Sequence, residues 1–205
     1  MNCHLLLPDL FWRSGDEAYR EPDLPALRTL LARAATAQRS AQDLEEWLCR
    51  VFTVDKQQDW PVAALTLVAD GGSPGNDYWL RADPVHLRVD SSQLILADSR
   101  AFGITRDEAN QLTQALNSQF NNTGLVFQAM HPERWYLRLE KLPKLQTRAL
   151  AEVAGKNIDE FLPIGEDSVY WHGVCNEIQM VLHRHAVNEA REAAGNPPVN
   201  SVWLW

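Results

Sequence analysis

Cysteine is scarce in this 205-residue chain. Cys3, Cys49 and Cys175 are odd in number and lack metal-ligand spacing, which excludes a disulfide framework and suits a reducing cytoplasm. Basic residues are also few: 19 Lys and Arg stand against 27 Asp and Glu, a net charge of −8. That balance argues against nonspecific binding to nucleic acid or to an anionic membrane, both of which need basic surface. No apolar run reaches membrane-spanning length. The opening "MNCHLLLPDLFW" has no basic head and is broken by Pro and Asp, so it does not read as a signal peptide. A soluble cytoplasmic protein is expected. Also missing are a Gly-rich phosphate loop, a nucleophile-elbow sequence and a His-Glu-x-x-His pattern.

What is present has clear periodicity. Leu5 to Leu7 read as a buried strand ending at Pro8-Asp9, which puts Asp9 where open α/β sheets place their chemistry. "DLPALRTLLARA" and "SAQDLEEWLCRVF" have helical spacing, the second from about Ser40. "WPVAALTLVADGG" reads as a buried strand or a short helix–strand element, and "GGSPGND" (71–77) as a linker. Beyond it, "PVHLRVDSSQLILAD" alternates around Ser91-Ser92 as a hairpin. Thr105 and Glu108 form a capping box at the head of a helix, and "LVFQAM" and "ERWYLRLE" add strands. A single long helix is expected from about Asp167 to Ala194, followed by the final apolar strand "NSVWLW".

Alternation assigns His86, Arg88 and Asp90 to one face of the hairpin strand. Arg134, Tyr136 and Arg138 take the polar face of "ERWYLRLE". Paired guanidinium groups suit a carboxylate or phosphate. The plainer reading is an outer sheet face of solvated charge. His183 and His185 diverge by roughly 160° around a helix, and His172 with Cys175 supplies only two ligands, so neither pair makes a metal site.

The order of "HLRVD", "ITRDEANQLTQALN" and "ERWYLRL" resembles the inserted lobe of archaeal-type cofactor-independent phosphoglycerate mutases, within the alkaline-phosphatase-like superfamily. "AGKNIDEFLPIGED" and "HAVNEAREAAGNPPVNSVWLW" resemble later segments of the same enzymes. "YWLRADPVHLR" and "NSVWLW" are also similar to phrases of RpfE-type regulatory proteins. The resemblance implies an α/β fold: a partial alkaline-phosphatase-like core sheet with helices (1–72 and 143–205), plus an inserted strand–strand–helix–strand–strand α+β lobe (73–142). It implies Arg88 and Arg134 as anion ligands, with His86 beside them, and Asp9 as a vestigial metal ligand. In these enzymes the Trp-Leu-Trp strand leads into a second half of the core, so the resemblance implies a truncated core here.

The enzymes' serine nucleophile has no counterpart in "DWPVAALTLVADGG", where Thr66 lies in an apolar run. Leu150, Ala151 and Glu152 replace a Pro-His-Asp. The expectation is therefore a non-catalytic regulatory or binding relative, leaning away from an enzyme, without a cofactor and without catalytic residues. It would hold a small phosphorylated or carboxylated metabolite, with a protein partner or a second copy covering the C-terminal strand, and no nucleic acid or membrane. The alternative is a metal-dependent 2,3-bisphosphoglycerate-independent phosphoglycerate mutase or phosphatase fragment using Mn or Mg and completed by a C-terminal half. A third possibility is a protein-interaction module whose Arg face is only solvated surface.

Overall fold

A computed structural model describes residues 23–33, 44–57 and 59–205. Asp9, Cys3 and the expected first strand lie outside them. The elements run α1 (Pro25–Arg33), α2 (Leu44–Val51), α3 (Val62–Ala69), β1 (Tyr78–Asp90), β2 (Gln93–Ala97), α4 (Arg106–Gln119), β3 (Val126–His131) and β4 (Arg134–Leu139). After these come α5 (Leu150–Val153), α6 (Ser168–His183), α7 (Ala186–Ala193) and β5 (Ser201–Leu204).

One antiparallel sheet organises the molecule, and β1 is its spine. Successive stretches of this strand serve three partners: Tyr78–Arg81 pair with β4, Ala82–Val85 with β5, and His86–Asp90 with β2. β3 completes the sheet beyond β4. A proline in the middle of such a strand needs a reason. Arg81 and Trp205 exchange both backbone hydrogen bonds (2.7 and 3.1 Å), so odd-numbered residues of β1 bond toward β5. Pro84, opposite Val202, therefore occupies a non-hydrogen-bonded position where no N–H is required. At the next odd position but one, the Asn200 side chain takes the strand's place: Leu87 N–H donates to its Oδ1 (2.7 Å), and its Nδ2 donates to the Leu87 carbonyl (2.9 Å).

Helices cover one face of this sheet. Ala82 of β1 and Trp135, Leu137 and Leu139 of β4 pack with Leu112 and Leu116 of α4 and with Trp171, Ile178 and Leu182 of α6. The capping box expected at the head of α4 is present, with Thr105 and Glu108 satisfying each other's backbone N–H. On the opposite face Val85, Leu87, Leu96, Val153, Ile158 and Trp203 form a second apolar cluster.

Several expectations are corrected. Of the two readings of "WPVAALTLVADGG", a buried strand or a short helix–strand element, only the helix is present, as the apolar α3, whose Thr66 meets Arg81 of β1. The single long C-terminal helix is two. α6 ends at His183, and His185, extended at φ −82 and ψ 135, starts α7 as an N-cap that accepts from Val187 N–H. The residues of the C-terminal strand are not left exposed. All four residues of β5 are buried within this chain, and Trp203 donates its indole N–H to the Arg148 carbonyl at 2.8 Å.

Candidate functional site

On the sheet face opposite α4, the odd residues of β1 and the even residues of β4 carry a connected polar group. Arg81 and Tyr136 are direct cross-strand neighbours. Arg81 donates to both oxygens of Asp83 (2.7 and 2.9 Å from Nη2, 3.2 Å from Nε) and, more weakly, to Thr66 Oγ1 of α3 at 3.3 Å. Its guanidinium lies between two rings, 5.2 Å from the centre of Tyr136 and 5.1 Å from that of Trp205. Asp83 also accepts from the Trp205 indole (2.8 Å) and from Trp135 N–H (3.3 Å). Burial pushes the Asp83 carboxyl up, against the pull of Arg81 and these donors. The pair is closed: every oxygen and most N–H groups are taken, and both side chains are buried.

A second pair sits at the rim. Asp70 caps the C-terminus of α3, and Gly71 follows at φ +86, a left-handed turn that glycine enters without a Cβ penalty. Arg134 donates Nε to Asp70 Oδ2 at 2.8 Å and Nη2 to Oδ1 at 2.5 Å, the bidentate geometry natural to guanidinium and carboxylate. Tyr136 Oη donates to the same Oδ2 at 2.7 Å. The hydrogen bonds from Arg134 hold the Asp70 carboxyl down at about 2, with Tyr136 adding to the effect. Burial pushes the Tyr136 phenol up to about 12. Asp70 is nearly enclosed at 10% exposure, whereas Arg134 remains 43% exposed.

The structure separates the residues that the sequence suggested as partners. Arg134 lies on the face of Arg81 and Asp83, while Arg88 and His86 point to the other. Arg88 is also five residues along β1 from Asp83, about 17 Å at strand rise. Arg88 is solvent-exposed and only 3.7 Å from Asp90. His86 carries its proton on Nδ1, since that nitrogen meets the Pro198 carbonyl at 2.9 Å. Two guanidinium groups so placed cannot share one small anion. Sequence reasoning missed Arg81, Asp83, Asp70 and Tyr136 as a unit. The available signal was a second Arg-x-Asp triplet, Arg81-Ala82-Asp83, seven residues ahead of Arg88-Val89-Asp90.

A metal fits poorly here. Among the described residues no group of three or more His, Cys, Asp or Glu side chains could hold an ion, and Asp70 and Asp83 are already engaged by arginine. No helix among these residues is long and apolar enough to cross a membrane.

Comparison with solved structures defines the class. A cofactor-independent phosphoglycerate mutase from Thermoplasma acidophilum superposes with a TM-score of 0.53 at 16% identity, over 70% of this chain and 40% of that one. The fold is thus an α/β arrangement like that of the cofactor-independent phosphoglycerate mutases, with an open, partial sheet and inserted strand and helix elements.

The family model for 2,3-bisphosphoglycerate-independent phosphoglycerate mutase matches residues 74–188, and the chain belongs to that family. Relatives bearing the same name include a Methanosarcina barkeri protein, 29% identical over 112 residues, covering 54% of this chain and 28% of its own length. Another, from Methanosarcina mazei, is 27% identical over 131 residues, 62% of this chain and 33% of its own. The chain thus spans about a third of the relatives it matches. These matches overturn the expectation of a non-catalytic regulatory protein leaning away from an enzyme. Both relatives, and a third from Methanosarcina acetivorans, are named as mutases and not as regulators.

Proposed function

We propose that this chain serves a 2,3-bisphosphoglycerate-independent phosphoglycerate mutase, an enzyme interconverting 3- and 2-phosphoglycerate, and that its lobe grips the substrate. The family match over 74–188 carries this reading. In it, Arg134 contacts an anionic group of phosphoglycerate. It is the half-exposed guanidinium at the rim of the polar group, with donors left over after Asp70 has taken two. Arg88 and His86, on the other face, have no part in that contact. Arg81 is spent on Asp83 and serves the scaffold. The transfer step itself needs a nucleophile, and the described residues offer no ligand set for Mn or Mg.

The likeness to RpfE-type proteins rests on "YWLRADPVHLR" and "NSVWLW", which lie in the paired strands β1 and β5. It is a likeness of one structural unit and supports no separate regulatory activity. A cytoplasmic location fits the scarce cysteine and acidic charge. The division into a core (1–72, 143–205) and a lobe (73–142) forms part of this reading, with β5 bridging the two through β1.

The test is a coupled assay on the intact protein with 3-phosphoglycerate and Mn²⁺ or Mg²⁺. Formation of 2-phosphoglycerate, reduced by Arg134→Ala, is the expected result. No product together with no calorimetric binding of 3-phosphoglycerate would overturn the proposal.

A further inference from the structure

A guanidinium on a flexible side chain recognises a small anion well only if its plane is fixed beforehand, because ordering it on binding consumes affinity. At Arg134 that fixing is visible. Asp70 takes the Nε–Nη2 edge with both oxygens, so the plane of the guanidinium is set and not merely its position. Asp70 takes two of the five guanidinium N–H groups, and the side chain is half-exposed, so N–H groups of its outer end can face a ligand. Asp70 is itself held. Its backbone N–H closes α3 on the Thr66 carbonyl (3.0 Å), and its Oδ2 accepts from the phenol of Tyr136. Tyr136 cannot move freely either, being fully buried with Arg81 stacked on its ring. An ordinary surface ion pair has none of this backing.

We infer that Asp70 and Tyr136 are positioning residues, which clamp Arg134 by one edge so that its remaining N–H groups meet a carboxylate or phosphate of phosphoglycerate in a preset orientation. This rests on the reading of Arg134 as the anion contact. A carboxylate placed there purely for folding would gain nothing from leaving one end of the guanidinium open. One placed there to mask Arg134 would leave the site weaker than it is without it.

A double-mutant cycle decides between these roles, titrating 3-phosphoglycerate into the intact protein by calorimetry. Glycerate and inorganic phosphate serve as separate probes of the carboxylate and phosphate contacts. Asp70→Asn is expected to weaken 3-phosphoglycerate about tenfold and Tyr136→Phe about threefold, and both effects should disappear in an Arg134→Ala background. The probe that loses affinity in parallel identifies which anionic group Arg134 holds. Equal losses with and without Arg134 would make the role structural, and tighter or unchanged binding by Asp70→Asn would make it masking or idle. Either result overturns the inference while leaving Arg134 as the contact. Binding that ignores Arg134→Ala, or no binding by the wild type, overturns the underlying reading as well. If Arg134→Ala binds too weakly to titrate, the ¹⁵N resonance of Arg134 Nε–H decides the matter. It must be sharp and slow to exchange in the wild type and broadened in Asp70→Asn, and its insensitivity to that change would refute the clamp.

Discussion

The strand β1 carries the same tripeptide pattern twice, and the two copies have opposite fates. Arg81 and Asp83 are 2.7 Å apart with side chains 8% and 1% exposed. Arg88 and Asp90 are 3.7 Å apart at 63% and 60%. Seven residues is an odd spacing in a strand, so the copies point to opposite faces. The chemistry of the two pairs is identical, and the difference lies in what encloses them. Tyr136 from β4, Trp205 beyond β5 and Thr66 of α3 close over the first pair. The second stands at the tip of a hairpin, beside Ser91 in its left-handed turn. Charge patterning along a strand says which side a pair occupies, and only tertiary pairing decides whether that side is shut.

The largest expected effect follows from the enclosed copy. Asp83→Ala strands a buried guanidinium and should destabilise the fold by about 3–5 kcal/mol, measured by urea unfolding. Replacing both partners with apolar residues, Arg81→Met with Asp83→Leu, should restore much of that loss, because the double variant buries no uncompensated charge. A single-variant loss below about 1 kcal/mol would mean that water reaches Arg81 and that the two copies are less different than their burial indicates.

Next in size are the side-chain clasps that bring the C-terminal strand to β1. Asn188 of α7 accepts from Val199 N–H (2.8 Å) and donates to the Val199 and Leu182 carbonyls (2.9 and 2.7 Å), all in buried surroundings. Arg191, one turn on, donates to the Pro197 carbonyl and to Glu108. Together they fix the turn that delivers Trp203 and Trp205. Asn188→Ala leaves buried backbone groups without partners and should lose about 1–3 kcal/mol in the same unfolding measurement. It should also loosen the Trp205 lid over Arg81, seen as a shift in tryptophan fluorescence.

Local signals in the sequence were enough for the β-hairpin, the α4 capping box, β3 and β4, because two-residue alternation and an S/T-x-x-E cap need no tertiary knowledge. Where a continuous apolar run allowed either structure, as at "PVAALTLVA", periodicity could not choose, and α3 is the result. The break between α6 and α7 was invisible because its cause is a histidine acting as N-cap, a role outside the usual Ser, Thr, Asp and Asn. The polar group was hidden for a similar reason. Asp70 and Arg134 are 64 positions apart, and neither residue looks unusual alone. The period of two places Arg88 and Arg134 on polar faces within their own strands, but the pairing of the two, implied by the family resemblance, depends on a register between strands that no local pattern carries.

The rim pair gives an intermediate effect with a defined sign. The Asp70 carboxyl sits at about 2 in the folded chain, below its ordinary 3.8. A depressed carboxylate adds stability that is fully present above its unfolded value and is lost as pH falls toward its folded value. The contribution should therefore fade between about pH 4 and pH 2, amounting to on the order of 1 kcal/mol once the exposure of Arg134 is allowed for. Urea midpoints of wild type and Asp70→Asn should differ at pH 7 and converge toward pH 2. Parallel lines across that range would assign the wild type's acid sensitivity to other carboxylates.

The exposed copy should give the smallest effect, and it sharpens the comparison most. Arg88→Ala and Asp90→Ala each remove a partner that water readily replaces, so each should change stability by less than about 0.5 kcal/mol, with additive effects in the double variant. Raising the salt concentration should erase even that, because screening acts fully on charges at this exposure and scarcely on Arg81 and Asp83. If Arg88→Ala instead destabilised the chain as much as Arg81→Ala, enclosure could not be what separates the two copies. The tip of the hairpin would then have to be covered by something beyond the described residues.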